Sequence, residues 1–345
     1  MSDSKISVSE SADSPQIQRR ALLMTVGALT ASMPISVSAQ SNSPSSLWTA
    51  RYTAMKGTLP IQLYRKRAAA PRSGQPAAPV LVLCHGSTFA ALASFDLSVP
   101  GAGEYSIMNV FAQQGFDVWA IDFEGYGRSG SSGGNSNVEA SVADLEAAVA
   151  VIKRETGVDR YHFWGQSSGG LRIGVFAMNF PERVDHLILE APTWTGEGSP
   201  TLIERRKNIE VYRASPRRKR DATSLRNVFT REHPEVTDPR VIDAVLAVEL
   251  PFGDSVPSGS YVDMSTRLPL VDPKRVAAPV LLVRGQWDGI ATDDDILGFF
   301  KLLPNADRMF VLVAGAAHGV GLSLKRDVLF RAVSAFLGPA VASKA

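Results

Sequence analysis

The sequence has one cysteine, Cys84. That excludes an internal disulfide framework and a multi-cysteine metal site. Cys84 closes the run Val80-Leu81-Val82-Leu83 and reads as a small buried apolar residue. An excess of charge of one sign is also lacking. There are 36 basic and 34 acidic residues, and the net charge of +2 is too balanced to predict a nucleic-acid partner. No internal repeat is visible. No apolar run is long and clean enough to predict a stable membrane span: the stretch from Ala21 to about Val37 is interrupted by Gly27 and Pro34 and diluted by Ser and Thr. What is present is 45% hydrophobic and 20% charged residues over 345 positions, enough for a large core in one or two domains.

Residues 1–39 read as a leader. A polar, serine-rich start ends in Arg19-Arg20, the apolar stretch follows, and Val37-Ser38-Ala39 offers the small residues that a signal peptidase needs. The arginine pair behind a long leader points to the twin-arginine export route of bacteria, and hence to a periplasmic or secreted protein. Removing the leader takes Lys5, Arg19 and Arg20 with Asp3, Glu10 and Asp13, which leaves the net charge unchanged.

From Pro79 the chain alternates. Pro79–Cys84 is a continuous apolar run, as in a parallel strand buried on both faces. Helical spacing at 105–114, a strand at 116–121, a helix at 138–155 with Val142, Leu145, Val149 and Ile152 on one face, a strand at 161–164, a helix at 168–179 and a strand at 184–189 follow. Such βα repetition predicts a mostly parallel sheet flanked by helices. One or two short edge strands are expected around 58–65. The rhythm stops at 193–266, where Arg205, Arg206, Lys207, Arg213, Arg217, Arg218, Lys219 and Arg220 cluster, and it resumes with a strand at 279–283, a helix at 293–303, a strand at 309–313 and a helix at 325–337. The expected organisation is a core in two parts, 40–192 and 267–345, with an inserted, mainly helical cap at 193–266. The run 217–220 reads as a solvated face, with steering of an anionic substrate or contact with an anionic membrane surface as alternatives.

Gly165-Gln166-Ser167-Ser168-Gly169 follows the run Tyr161-His162-Phe163-Trp164. A serine with small residues two positions away on each side, between a strand and a helix, has the spacing of a nucleophile elbow, in which bulk at either flank would clash. The other chemistry-bearing pieces come in order: His85-Gly86-Ser87, Asp122-Phe123-Glu124-Gly125-Tyr126-Gly127-Arg128-Ser129, then the elbow, Trp287-Asp288, and Ala317-His318-Gly319, each just past a strand. From about Pro79 to Leu337 this order resembles the α/β-hydrolase superfamily, in its cap-bearing serine esterase branch.

The resemblance implies roles. Ser167 is the nucleophile; Ser168 is the rival, but it would set Gln166 at a flank that must be small. His318 is the base and Asp288 the acid that orients it. Glu190, at the end of 187–189, is the alternative acid, because some members draw theirs from that strand. Asp293, Asp294 and Asp295 read as first-turn helix acids. The backbone amides of Ser87 and Ser168 would form the oxyanion hole. The Ser87 hydroxyl reads as solvated, and a third donor role is its alternative. His85 reads as a structural residue holding its loop, and the triple-glycine loop of some lipases is absent. The implied reaction is cleavage of a carboxylic ester through an acyl-enzyme with no cofactor, on a small ester-like molecule, anionic or aromatic. Lactone, thioester, amide and C–C bond hydrolysis and acyl transfer use the same machinery, and a noncatalytic ligand-binding protein on the same fold is the alternative of another class.

Other patterns are set aside. Gly125-Tyr126-Gly127-Arg128-Ser129-Gly130 fits G-x-G-x-x-G, but no helix opens at its third glycine, so no nucleotide is expected. His162, His186 and His233 have no carboxylate or cysteine partners at ligand spacing, so no metal is expected. Trp194, Tyr212, Phe252 and Tyr261 read equally as pocket wall or as the cap's own core.

Overall fold

A computed structural model describes residues 46–340. The leader expected at 1–39 lies outside the described residues. In chain order the strands and helices are β1 (Trp48–Lys56), β2 (Leu59–Arg67), β3 (Val80–Cys84), α1 (Ala91–Phe95), α2 (Ile107–Gln113), β4 (Asp117–Ile121), α3 (Ala140–Thr156), β5 (Tyr161–Gln166), α4 (Ser168–Asn179), β6 (Val184–Glu190), α5 (Pro200–Lys207), α6 (Ile209–Arg213), β7 (Arg217–Lys219), α7 (Ala222–Thr230), α8 (Pro239–Glu249), β8 (Ser255–Pro257), α9 (Gly259–Thr266), β9 (Val280–Gly285), α10 (Asp293–Leu302), β10 (Arg308–Val313) and α11 (Arg326–Leu337).

Eight strands form one sheet in the order β1-β2-β4-β3-β5-β6-β9-β10. The β1–β2 hairpin joins it antiparallel, and every pair from β4 to β10 is parallel. The edge strands at the start are longer than expected, nine residues each. The inner strands β3, β4, β5 and β9 are buried at every position, because helices cover both faces. One face packs against α3 and α4 through Val142, Leu145, Val149, Ile152, Ile173 and Phe176. The other packs against α2 and α11 through Met108, Phe111, Leu329 and Val333. Local chemistry sets the helix ends. The hydroxyls of Ser106, Ser199 and Thr292 accept from amides in the first turns of α2, α5 and α10. Gly157, at φ 74°, closes α3 in the left-handed conformation.

Strand order reverses at β3, with β4 on one side and β5 on the other. In open parallel sheets a crevice forms at such a switch, beyond the carboxyl ends of the strands. The loops carrying Ser87 and Ser167 leave β3 and β5 at that crevice. Between the neighbours β6 and β9 the chain makes a long excursion that carries α5 to α9 and a two-stranded ribbon, β7 against β8. This excursion shares a hydrophobic cluster with the loop after β3: Phe89, Leu97 and Tyr105 pack with Leu225, Phe229, Val241 and Val245. Its entry is tied down by Asp295, whose buried carboxylate accepts from the amides of Trp194 and Thr195 at 2.8 Å each. Asp295 is therefore more than a helix-dipole acid. Asp293 pairs with Arg284.

Candidate active site

Ser167 sits between β5 and α4 at φ 54°, ψ −120°, a backbone conformation that side-chain-bearing residues rarely adopt. Such a conformation costs roughly 1–3 kcal/mol and persists only where the surroundings enforce it. Here two close approaches enforce it. A Cβ on Gly165 would lie 2.5 Å from the Gly169 carbonyl, and a Cβ on Gly169 would lie 2.1 Å from the Cys84 carbonyl oxygen. The flanking glycines are thus required by backbone contact across the turn and with β3. Cys84 itself is buried, and burial pushes its thiol up.

The turn aims Ser167 at His318. The Ser167 Oγ lies 2.9 Å from His318 Nε2. The other ring nitrogen, Nδ1, lies 2.9 and 3.0 Å from the two carboxylate oxygens of Asp288. Asp288 also accepts from the amides of Ile290 (2.8 Å) and Ala291 (3.0 Å). Burial pushes the Asp288 carboxyl up, but the imidazole and these two amides outweigh it and hold it below its ordinary value. Glu190 does not reach the histidine. It is fully buried beneath the elbow, accepting from Trp164 Nε1 (3.0 Å), Gln166 Nε2 (3.2 Å) and the Gly321 amide (3.1 Å), and burial raises its pKa. Ser168, the rival serine, is fully buried with its hydroxyl turned to Ser87.

The Ser168 amide opens α4, where the first N–H groups have no intrahelical acceptor. Ser87 lines the same cavity as Ser167, and the Gly86 backbone is so near that a Cβ there would touch Ser167 Cβ at 3.3 Å. The Ser87 hydroxyl is not solvated, contrary to expectation. It donates to Ser168 Oγ at 2.8 Å and accepts from Ser260 Oγ, on α9, at 2.9 Å. His85 is buried, with Nδ1 2.7 Å from the Gly86 carbonyl and Nε2 accepting from the Phe123 amide at 3.1 Å, so it does hold its loop. Burial drives its pKa down to about 3, which keeps it neutral. The 125–130 loop is a turn with Gly125 and Gly127 at positive φ, and a Cβ on Gly127 would strike the Asp122 carboxylate.

The basic run 217–220 is the largest correction to the sequence reading. Only Lys219 is exposed. Arg217 reaches the carbonyl of Ser255 at 2.6 Å, Arg218 donates to the Ser87 carbonyl at 2.6 Å, and buried Arg220 pairs with Glu249 and donates to the Thr88 carbonyl at 3.1 Å. Tyr126 donates to the Ser87 carbonyl as well, at 2.9 Å. The ribbon therefore grips the Ser87–Thr88 loop from behind. Sequence alone held one hint, an Arg/Lys run ending at the N-cap of α7, but no means of aiming it.

A cavity open to solvent lies above Ser167. Its walls are Phe89, Ile290 and Leu322 from the sheet-bearing part, and Arg205, Phe229 and Arg231 from the excursion. The rings of Phe89 and Phe229 stack at 5.5 Å. None of the four aromatics singled out in the sequence lines it. Trp194 packs on Phe299, Phe252 lies by Arg128, and Tyr212 packs edge-on against Tyr261. Tyr261 sits behind the wall, with the guanidiniums of Arg205 and Arg218 each 3.9 Å from its ring centroid. Among the described residues neither arginine has a carboxylate partner, whereas Arg231 pairs with Glu232 at 3.3 Å. Glu232 also accepts from the His318 amide at 3.2 Å.

A mostly parallel sheet, a strained serine at its carboxyl edge and a histidine–aspartate pair on the following loops define an α/β-hydrolase. Residues 100–322 match the serine aminopeptidase S33 family, and the chain belongs to that family. It is 28% identical over 244 residues to a 2-hydroxy-6-oxononadienedioate/2-hydroxy-6-oxononatrienedioate hydrolase of Paraburkholderia phymatum, which covers 66% of this chain and 77% of that one. The Burkholderia vietnamiensis protein of the same name is 28% identical over 240 residues, with the same coverage. Among solved structures, a 2-hydroxy-6-oxo-6-phenylhexa-2,4-dienoate hydrolase from Rhodococcus superposes with a TM-score of 0.60 at 20% identity, over 85% of this chain and 99% of that one. E-2-(acetamidomethylene)succinate hydrolase gives 0.62 at 17% identity, over 84% and 99%. At such identities the structural likeness is one of fold. Among the described residues no helix is long and apolar enough to cross a membrane.

Proposed function

We propose that the protein is a serine hydrolase that cleaves an acyl bond of a small, carboxylate-bearing substrate through an acyl-enzyme. The observation that carries this is the 2.9 Å contact from Ser167 Oγ to His318 Nε2, continued at Nδ1 by Asp288. Ser167 Oγ attacks the carbonyl carbon while His318 Nε2 takes its proton. The amides of Ser87 and Ser168 receive the developing oxyanion. The protonated His318, steadied by Asp288, passes the proton to the leaving group as the bond breaks. Water then attacks the acyl-enzyme with His318 again as base, which releases the acid and restores Ser167.

The substrate class rests on the pocket wall. Arg205 faces the cavity without a carboxylate partner among the described residues, Arg231 stands beside it, and phenylalanines supply the apolar surface. A guanidinium in a partly dry wall favours a planar carboxylate, which it can bind through two parallel hydrogen bonds. The leaving group is an alkoxide in the ester reading. Cleavage of a C–C bond, with the proton delivered to carbon, is the second reading, and the dienedioate hydrolases to which the chain is similar favour it.

A fluorophosphonate should label the folded protein once, at Ser167, by mass spectrometry. Absence of that adduct would turn the reading toward a noncatalytic binding protein. Nitrophenyl hemisuccinate and hemiglutarate should be better substrates than nitrophenyl valerate, and a vinylogous keto-diacid assayed beside them separates ester from C–C hydrolysis. We also propose export by the twin-arginine route, supported by Arg19-Arg20 and the small residues before position 40. Replacing both arginines by lysine should trap the precursor inside the cell.

A further inference from the structure

The first residues of β5 and β6 lie at the end of the sheet opposite Ser167. Tyr161 pairs with Val184, but His162 pairs with His186, so Asp185 is an extra residue in the ladder. Successive residues of a regular strand face opposite sides, whereas a bulge re-aims a side chain. Here it brings the Asp185 carboxylate to both imidazoles. Asp185 Oδ2 is 3.6 Å from His162 Nδ1, and Oδ1 is 3.7 Å from His186 Nδ1. One ligand atom from each of the three residues lies within 4.8 Å of the other two. The sequence spacing predicts no carboxylate partner for these histidines, and the bulge supplies one.

These separations are too long for hydrogen bonds. They approach the ~3.3 Å spacing of donor atoms held about 2.0–2.1 Å from a tetrahedral ion. His162 is 7% exposed, and among the described residues the buried Nδ1 atoms of His162 and His186 have no hydrogen-bond partner. An unpaired buried nitrogen is costly, and a coordinate bond would satisfy it. A surface cavity lined by Phe116, Leu337 and Pro339 opens on the same three residues and leaves room for water as a further ligand.

We propose that His162, Asp185 and His186 form a binding site for a divalent first-row transition ion of the zinc class, with two imidazole nitrogens and one carboxylate as ligands. The competing group is Arg160, whose guanidinium stands 3.7 Å from Asp185 Oδ1 and donates to the Val184 carbonyl at 3.2 Å, on a side chain that is 58% exposed. His162 and Ser167 are five steps apart along the chain, about 16 Å at the rise of a strand. The ion therefore braces β5 against β6 and takes no part in the chemistry.

The test uses the full chain after chelator treatment. Zinc chloride is titrated by calorimetry, and cobalt(II) by visible absorption. One saturable ion per chain, intense tetrahedral cobalt bands and a raised Tm are expected. Asp185→Asn and His186→Gln should each weaken binding at least tenfold while fluorophosphonate labelling of Ser167 stays at the wild-type level, and Arg160→Ala should tighten binding. Asp185→Asn nearly preserves shape, so it keeps the test open if His186→Gln does not fold. Lack of saturable binding by the folded wild type overturns the proposal. So does unchanged affinity in Asp185→Asn, and so does binding that disappears only in His318→Ala.

Discussion

The elbow and the arginine wall face each other across one cavity, yet they are built by different means. Around Ser167 the backbone itself is forced by its neighbours: a strained residue and two glycines that tolerate no Cβ, with Asp288 and His318 brought in on the loops after β9 and β10. The facing side is built from side chains of the excursion, which also hold the Ser87 loop from behind. Arg218 reaches Ser87 across 131 positions of sequence, and Ser260 reaches it across 173. The difference separates two tasks. In the proposed reaction the bond-breaking apparatus would rest on backbone that only a few residues allow, and substrate choice on side chains that the excursion after β6 brings in. Changes at the elbow, or at Arg218 where it holds the Ser87 loop, should strike kcat for every substrate, and changes at the cavity-lining Arg205 should discriminate between substrates.

The largest effect is expected at Asp288. Replacing it with Asn should lower kcat by about 10⁴, since the imidazole loses both its tautomer and its charge partner. Glu190→Gln should leave kcat within roughly tenfold and cost stability instead, about 1–3 kcal/mol, because Trp164, Gln166 and Gly321 lose part of their acceptor. Steady-state kinetics beside chemical unfolding separates the two. The reverse pattern would move the acid to β6 and dissolve the comparison.

Next come the arginines. Arg205→Ala should raise KM about 10- to 100-fold for hemisuccinate esters, the worth of a charge-assisted hydrogen bond of about 1.5–3 kcal/mol, and leave valerate esters unchanged. Arg218→Ala should lower kcat roughly tenfold for both, because the Ser87 carbonyl loses its charged donor and the loop that carries the oxyanion amide loosens. Equal effects on charged and neutral esters at Arg205 would mean that the wall positions rather than selects.

How far the sequence foretold this follows the same division. The helix at 168–179 matches residue for residue, and most other core elements shift by only one or two positions, because apolar runs and caps are local facts. Ser167, His318 and Asp288, which the structure brings into contact, stand out in the sequence because each follows a strand in a fixed order. The Arg217–Arg220 run was misjudged because a ribbon of three-residue strands has no periodicity to read, and because burial of Arg218 and Arg220 depends on partners such as Ser87, Thr88 and Glu249. Asp185 escaped for a related reason: a bulge overrides the alternation on which strand reading rests.

The smallest expected effect is a pH dependence confined to the wall. Burial pushes the Tyr261 phenol up, but the guanidiniums of Arg205, Arg218 and Arg231 outweigh it and bring its pKa down to about 7. Below that pH the phenol is neutral and the arginines keep their full charge toward an incoming carboxylate. Above it the phenolate cancels one of those charges. The ratio of KM for the hemisuccinate ester to KM for the valerate ester should therefore rise about threefold between about pH 6 and pH 8.5, a screened charge effect. Taking the ratio removes any pH dependence that both esters share. Tyr261→Phe should flatten the ratio near its acid-side value, since the arginines remain and the phenolate cannot form. A ratio that is flat in the wild type, or that rises equally in Tyr261→Phe, would place the titrating group elsewhere. It would leave the cavity-lining Arg205 as the remaining ground for the proposed carboxylate preference.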